Sequence, residues 1–443
     1  MTSTPTASNQ NLYYTRVFNK LVASFKFLCV IIGFTLFICC KSSKLSKTIT
    51  KSISTEFYDN QFTGIMIYDP ETKDTVYKHQ AEKYFTPASN TKIVTLFSAL
   101  TLLKDSIPAF YYHASNDTLQ LRGIGDPSFL HPYFKDSTAL QMAKDYKHVS
   151  ILRNTFTDDK FGPGWAWEDY DTYFSPERSS FPMYGNVVSI SNTNKLEVSP
   201  NYFKDSVFQK TGNINRLYNQ NIFFYDTTST RAREIPMVLD SLTTQNLWSD
   251  LLPEKVSFSH QQFNSTPEIA YSIPSDSLYT RMMHLSDNFL AEQMLVLASS
   301  TITDTLNTTF LRNYILEHHL HDLKQKPRWV DGSGLSRYNL FSPLSFVQIL
   351  NKLYTTIPRE RLFHFFPAGG QSGTLKNSYA GQTEPYIYAK SGSVGNNYSL
   401  SGFLLTASGK TLIFSFMNNH YTTPTSEVKK HMQNIFDYLR DTY

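Results

Sequence analysis

Phe85-Thr86-Pro87-Ala88-Ser89-Asn90-Thr91-Lys92 opens a stretch in which Ile93, Leu96, Phe97, Leu100 and Leu103 recur at helical spacing. That periodicity predicts a helix from Ser89 to Leu103 with one buried face. Ser89 and Lys92 stand three residues apart at its start, so a hydroxyl and an amine share one side and can share a hydrogen bond. A serine is a poor nucleophile until a base takes its proton, and a lysine serves as that base once burial and a nearby cation lower its pKa. The helix N-terminus adds backbone donors beside a reacting carbonyl. The pair alone is weak evidence, because Ser43-Lys44-Leu45-Ser46-Lys47 repeats it in a polar stretch, residues 41–55, that reads as a solvated linker.

Upstream of that linker lies a leader. Arg16, Lys20 and Lys26, with no acid among residues 1–40, precede the uncharged 14-residue run Phe27 to Cys40. This is the basic and then apolar pattern of an export signal, and it falls short of the roughly 20 residues a stable membrane span needs. Leu36-Phe37-Ile38-Cys39-Cys40-Lys41-Ser42-Ser43 resembles a loose bacterial lipoprotein signal, in which Cys40 would carry the lipid. Cleaved or retained as a short anchor, such a leader places the body of the protein outside the cytoplasm, in the periplasm.

Subtracting the leader's charge from the net +4 leaves the other residues nearly neutral, with no electrostatic case for a nucleic-acid partner. All three cysteines also sit in the leader, at 29, 39 and 40. Disulfides, thiolate catalysis and Cys-zinc sites are therefore excluded downstream. A chain of 443 residues that is 41% hydrophobic and 15% aromatic is globular, with room for two or three domains.

Downstream of the linker, Gly64 to Tyr68 and Thr75 to Tyr77 read as a hairpin around Asp69-Pro70-Glu71-Thr72. Residues 113–270 are rich in Asn, Asp, Ser, Thr, Gly and Pro and read as a mostly β, loop-rich insertion. Helical patterns return at Ser275 to Leu297 and Thr309 to Leu323. Strands at Tyr398 to Thr406 and Thr411 to Met417 and a helix from Ser426 to Tyr443 follow. Similar ends around a different middle predict one α+β domain, residues 56–112 and 271–443, interrupted by the insertion at 113–270.

Two further groups join the Ser-x-x-Lys pair: Ser286-Asp287-Asn288 in the helical region and Lys390-Ser391-Gly392-Ser393 before the late hairpin. This order is the motif set of penicillin-binding proteins and class A β-lactamases. The chain resembles the penicillin-recognising serine hydrolases, and among them the D-alanyl-D-alanine carboxypeptidase/endopeptidases, the class C low-molecular-mass penicillin-binding proteins of peptidase family S13. Gly123-Ile124-Gly125-Asp126-Pro127, Gly164-Trp165-Ala166-Trp167, Asp331-Gly332-Ser333-Gly334-Leu335-Ser336 and Gly373-Thr374-Leu375 are similar to that family's ancillary signatures, in order. The 197 residues between Ser89 and Ser286 leave room for the extra domains such enzymes resemble one another in carrying. A class A β-lactamase has no such interval.

The resemblance implies a transpeptidase-like antiparallel sheet flanked by helices and an acyl-enzyme mechanism without cofactor or metal. It implies Ser89 as nucleophile, Lys92 as its base, and Ser286 with Lys390 as the proton relay to the leaving amine. Lys390 would also keep Lys92 partly neutral by repulsion and draw the substrate's terminal carboxylate, which Ser391 would hydrogen-bond. Asn288 would bind the peptide backbone, the amides of Ser89 and Ser393 would form the oxyanion hole, and Gly392 would let the strand approach closely. The implied partners are peptidoglycan stem peptides, with β-lactams as covalent inhibitors. A β-lactamase or esterase using the same motifs, or a non-catalytic wall-binding protein keeping the fold, are the alternatives. Asp331 to Gly334 reads as a wall of the site, and the Trp165/Trp167 pair as core of the insertion. Glu317-His318-His319-Leu320-His321 reads as an ordinary amphipathic helix, neither a deacylating carboxylate nor a metal site.

Overall fold

A computed structural model describes residues 44–153, 156–210, 212–229 and 231–443. The expected export signal and Cys40 lie outside the described residues. Five antiparallel strands form the central sheet: β1 (Phe62–Asp69), β2 (Asp74–His79), β13 (Ile387–Val394), β14 (Asn397–Leu405) and β15 (Thr411–Asn419), in the order β13-β14-β15-β1-β2. Because side chains alternate along a strand, Leu412, Phe414 and Phe416 of β15 face one layer and Ile413 and Met417 face another.

The first layer holds α11 (Thr425–Thr442), the helical residues 44–53, here α1, and the short α2 (Glu56–Asp59). Val428, Met432, Ile435, Phe436 and Leu439 of α11 are buried, as their spacing predicts. The expected linker is corrected here. Leu45, Ile49 and Ile53 recur every fourth residue and are buried in the same core, so this segment is an amphipathic helix docked on the sheet.

The second layer is built from α3 (Lys92–Leu102), α6 (Ser275–Leu285), α7 (Asn288–Ser299), α8 (Thr308–His318), α9 (Pro343–Thr356) and α10 (Arg359–Phe365). Helix α7 is buried from Phe289 to Ser299, and α9 starts on a Ser342 side-chain cap followed by Pro343 at the first position.

A second five-stranded sheet comes from the intervening chain. It comprises β3 (Ser106–Ser115), β4 (Thr118–Gly123), β5 (His148–Leu152), β11 (Val256–Ser259) and β12 (Glu268–Pro274), ordered β11-β5-β4-β3-β12. The sequence edges at 112/113 and 270 fall inside β3 and β12. Two of its ladders, β4 with β5 and β5 with β11, are parallel. Short strands β6 (Val187–Asn192), β7 (Leu196–Ser199), β8 (Val207–Gln209), β9 (Phe223–Tyr225) and β10 (Arg233–Pro236) also lie in this region. So do helices α4 (Thr138–Lys144) and α5 (Ser241–Leu251), where the sequence shows no strong helical period. Their apolar faces are short: in α5 only Thr243, Leu247 and Trp248 are buried, although Asp240 caps it. Gln293 of α7 ties this region to the first domain. Its amide donates to the carbonyls of Gly125 (3.1 Å) and Ser179 (2.8 Å) and accepts from the Ser179 N–H (2.9 Å).

Candidate active site

The tight turn Ala88–Thr91 is 3-10, and the α-helix begins only at Lys92. The cause is local: Ala88 has φ +48° and the Thr91 hydroxyl closes back on the Ala88 carbonyl at 2.9 Å. The turn carries Ser89 to the side of Lys92, whose Nζ lies 3.0 Å from Ser89 Oγ. The same amine donates to Asn288 Oδ1 and to the Ser333 carbonyl, each at 2.7 Å. An ammonium has three protons, and here three acceptors surround it.

Ser286 corrects the expected continuous helix over 275–297. Helix α6 stops at Leu285, Ser286 turns left-handed at φ +56°, and Asp287 caps α7 by accepting from the Leu290 N–H at 3.0 Å. The break turns Ser286 and Asn288 toward the same cleft, while Asn288 Nδ2 donates to the Phe174 carbonyl at 2.9 Å. Asp287→Ala is expected to lower stability by about 1 kcal/mol through loss of the cap, with Asp287→Asn near neutral; denaturant midpoints of the two variants measure it.

Strand β13 forms the opposite wall. Ile387 and Ala389 point toward α11, so Lys390 and Gly392 point to the other layer. Lys390 Nζ donates to Ser286 Oγ at 3.0 Å and to the Ser391 carbonyl at 2.7 Å. A Cβ on Gly392 would lie 2.4 Å from the Pro87 carbonyl and 2.9 Å from the Ser89 nitrogen. The Gly369 N–H bonds Ile387 O and the Ala389 N–H bonds Pro367 O, so these residues turn their backbone away from β14. By the two-residue alternation of an unbroken antiparallel ladder, Ser391 and Ser393 present theirs on the same free edge.

Together these walls enclose an open cleft of about 710 Å³, lined by Ser89, Ser286, Asn288, Ser391 and Ser393. Lys92, Lys390 and Gly392 lie buried beneath its surface. Glu317 and His318 are exposed at the end of α8 and do not line it. Among the described residues no group of three or more His, Cys, Asp or Glu is placed to hold a metal ion.

Both amines are pushed down by burial. For Lys92 the carboxylates Asp331, Glu292 and Asp287 oppose burial, and its pKa settles at about 8. Lys390 has no such support and also feels the charge of Lys92, so it falls well below the lysine range. Repulsion between two cations is mutual, so each amine disfavours the protonated form of the other, in line with the expectation that Lys390 helps to lower Lys92.

Several groups were missed in the sequence. Asp331 to Ser333 forms more than a wall, because the Ser333 carbonyl holds Lys92 while the Ser333 N–H donates to Glu292 at 2.7 Å. Asp331 accepts from the Gly334 and Ser336 amides, Asn339 Nδ2 and Trp165 Nε1 at 2.6–2.9 Å. Trp165 therefore belongs to the support of the site, whereas Trp167 is 77% exposed and is no core residue. Thr374 accepts from the Ser391 hydroxyl at 2.8 Å. Asp169, Tyr173, Glu234, Arg281 and Arg337 also line the cleft, and their isolated positions in the sequence carried no pattern.

Residues 45–241 and 253–440 match the D-Ala-D-Ala carboxypeptidase 3 (S13) family. The chain belongs to the S13 family. Among curated relatives of this S13 protein, D-alanyl-D-alanine carboxypeptidase DacB of Haemophilus influenzae is 28% identical over 180 residues, 39% of this chain and 37% of that relative. Carboxypeptidase DacB of Mycolicibacterium smegmatis is 33% identical over 98 residues, 20% of this chain and 21% of that one. These alignments span well under half the length of either relative. The fold correspondence reaches further. Penicillin binding protein 4 from H. influenzae superposes with a TM-score of 0.68 at 18% identity, covering 90% of the S13 chain and 99% of its own. The α+β architecture is therefore that of a penicillin-binding protein.

Proposed function

We propose that this protein is a serine D,D-peptidase acting on peptidoglycan stem peptides. The observation that carries the reading is the pairing of two buried amines with two serine hydroxyls, Lys92 with Ser89 and Lys390 with Ser286, each at 3.0 Å across one cleft. Neutral Lys92 takes the Ser89 proton, and Ser89 Oγ bonds to the D-alanine carbonyl carbon. The amides of Ser89 and Ser393 receive the oxyanion. The C–N bond breaks as the proton taken by Lys92 is relayed through the Ser286 hydroxyl, beside Lys390, to the leaving amine, so that Lys92 and Ser286 end in their starting states. Water then cleaves the ester, restoring Ser89 and releasing the shortened peptide as its acid. Asn288 orients the substrate backbone, and Ser391 with Thr374 takes the terminal carboxylate. Residues 106–274 act as an inserted domain that closes one side of the cleft through Tyr173 and Phe174.

The H. influenzae neighbour has also been solved in complex with a β-lactam, which supports β-lactams as acylating ligands here. A peptidoglycan substrate lies outside the cytoplasm, and residues 1–40 fit export to the periplasm with Cys40 as a lipid acceptor and membrane attachment point.

Labelled penicillin is expected to form a long-lived adduct on the peptide carrying Ser89, located by mass spectrometry, and purified muropeptides are expected to lose D-alanine. A rapidly hydrolysed adduct without muropeptide cleavage would instead identify a β-lactamase, and no adduct a non-catalytic protein. The base must be neutral to act, so acylation should rise with pH and level off above about 8, the value set for Lys92. At pH 7 roughly a tenth of the base is free. A pH profile of the acylation rate, flat between 6 and 9, would contradict Lys92 as the base.

A further inference from the structure

The cleft does not end at Leu285. Past Leu285 and Arg281, which line both, a second groove of about 700 Å³ opens between the inserted chain and α6. Tyr133, Phe134 and Ile273 supply an apolar side, and Thr280, His284 and His364 a polar one. The junction lies on the carboxylate side of the active site. Ser391 bonds Thr374, and a Cβ on the adjacent Gly373 would lie 2.6 Å from the His284 carbonyl, so the end of α6 abuts the Ser391–Thr374 pair.

Arg281 stands at the seam, its charge near the carboxylates of Asp287 and Glu234. Its Nε faces Asp287 Oδ2 at 3.6 Å, outside hydrogen-bond reach, and its guanidinium lies over the Tyr133 ring at 4.4 Å. Among the described residues it donates no hydrogen bond, although its side chain is only 16% exposed. A guanidinium held this way suits a carboxylate, and an aromatic and aliphatic wall beside it suits the stem of a peptide.

We propose that the groove beyond Leu285 receives the leaving half of a cross-linked stem peptide, with Arg281 taking one of its carboxylates. The inference rests on the peptidase reading above. When terminal D-alanine leaves, the Ser391–Thr374 pocket suffices. When a cross-link is cut, the leaving amine is carried by a second stem peptide that must run somewhere, and this groove continues from the point where it departs.

Two surface variants test it: Tyr133→Ala, which strips the apolar wall, and Ser277→Trp, which fills the groove from an exposed position on α6. The measurement is kcat/KM on a purified cross-linked muropeptide dimer and on a monomeric pentapeptide, with labelled-penicillin acylation alongside. Dimer cleavage is expected to fall about tenfold in both variants while D-alanine release and acylation stay within twofold. Unchanged dimer cleavage, or an equal fall on both substrates with acylation intact, overturns the groove. Wild-type protein that neither acylates nor releases D-alanine would instead overturn the peptidase reading itself.

Discussion

Replacing Lys92 by methionine is expected to slow acylation of Ser89 by labelled penicillin by about 10²–10⁴-fold, the usual contribution of a positioned general base. Methionine is unbranched and of similar length, so the buried channel stays filled. What disappears is the amine that reaches Ser89 Oγ, Asn288 Oδ1 and the Ser333 carbonyl together. Two of those oxygens lose a donor inside the protein, costing about 1–3 kcal/mol each in stability, while a buried cation and its desolvation are removed as well. Circular dichroism melting separates the fold from the chemistry. A folded Lys92→Met chain acylated within tenfold of wild type would remove Lys92 from the mechanism.

Gly392→Ala is expected to be comparably severe although it touches no proton. Its new Cβ would collide with the Pro87 carbonyl at 2.4 Å and crowd the Asn90 and Ser89 nitrogens at 2.8 and 2.9 Å. Those are backbone atoms of the turn that presents the nucleophile, so strand or turn must move apart. A shift of about 1 Å at reacting groups costs on the order of 10²-fold. Gly395→Ala, three residues along, would meet nothing nearer than Arg337 Nη2 at 3.8 Å and should acylate within threefold of wild type. Second-order acylation rates of the two variants decide it; equal rates would show that the close approach at Gly392 is dispensable.

Sheet and helices were legible where period and burial agree. Alternation in β15 and the apolar stripe of α11 place their residues on the faces where they are found. The three motifs were legible as residue types, because the proposed nucleophile, base and carboxylate-binding strand each demand particular chemistry. Their supports were not. The Ser333 carbonyl that holds Lys92 is a backbone group, which no residue identity advertises. The break at Ser286 was hidden because apolar spacing continues on either side, although Asp287 ahead of an apolar run is a capping signal. Residues 44–53 were misread because lysines and serines outnumber the three apolar positions that dock them. The depression of both lysines depends on their burial and on the charges packed around them, a property of the folded arrangement alone.

The pairing of β1 with β15 joins residues 62–69 to residues 411–419 in the middle of the central sheet. Such a long-range ladder closes a very large loop, so its formation comes late and slowly. The nucleophile turn can be synthesised and partly coiled while the wall bearing Lys390 does not yet exist beside it. A nascent chain therefore carries Ser89 and Lys92 without Lys390 beside them, and the cleft is completed only after the last strand of the sheet has arrived.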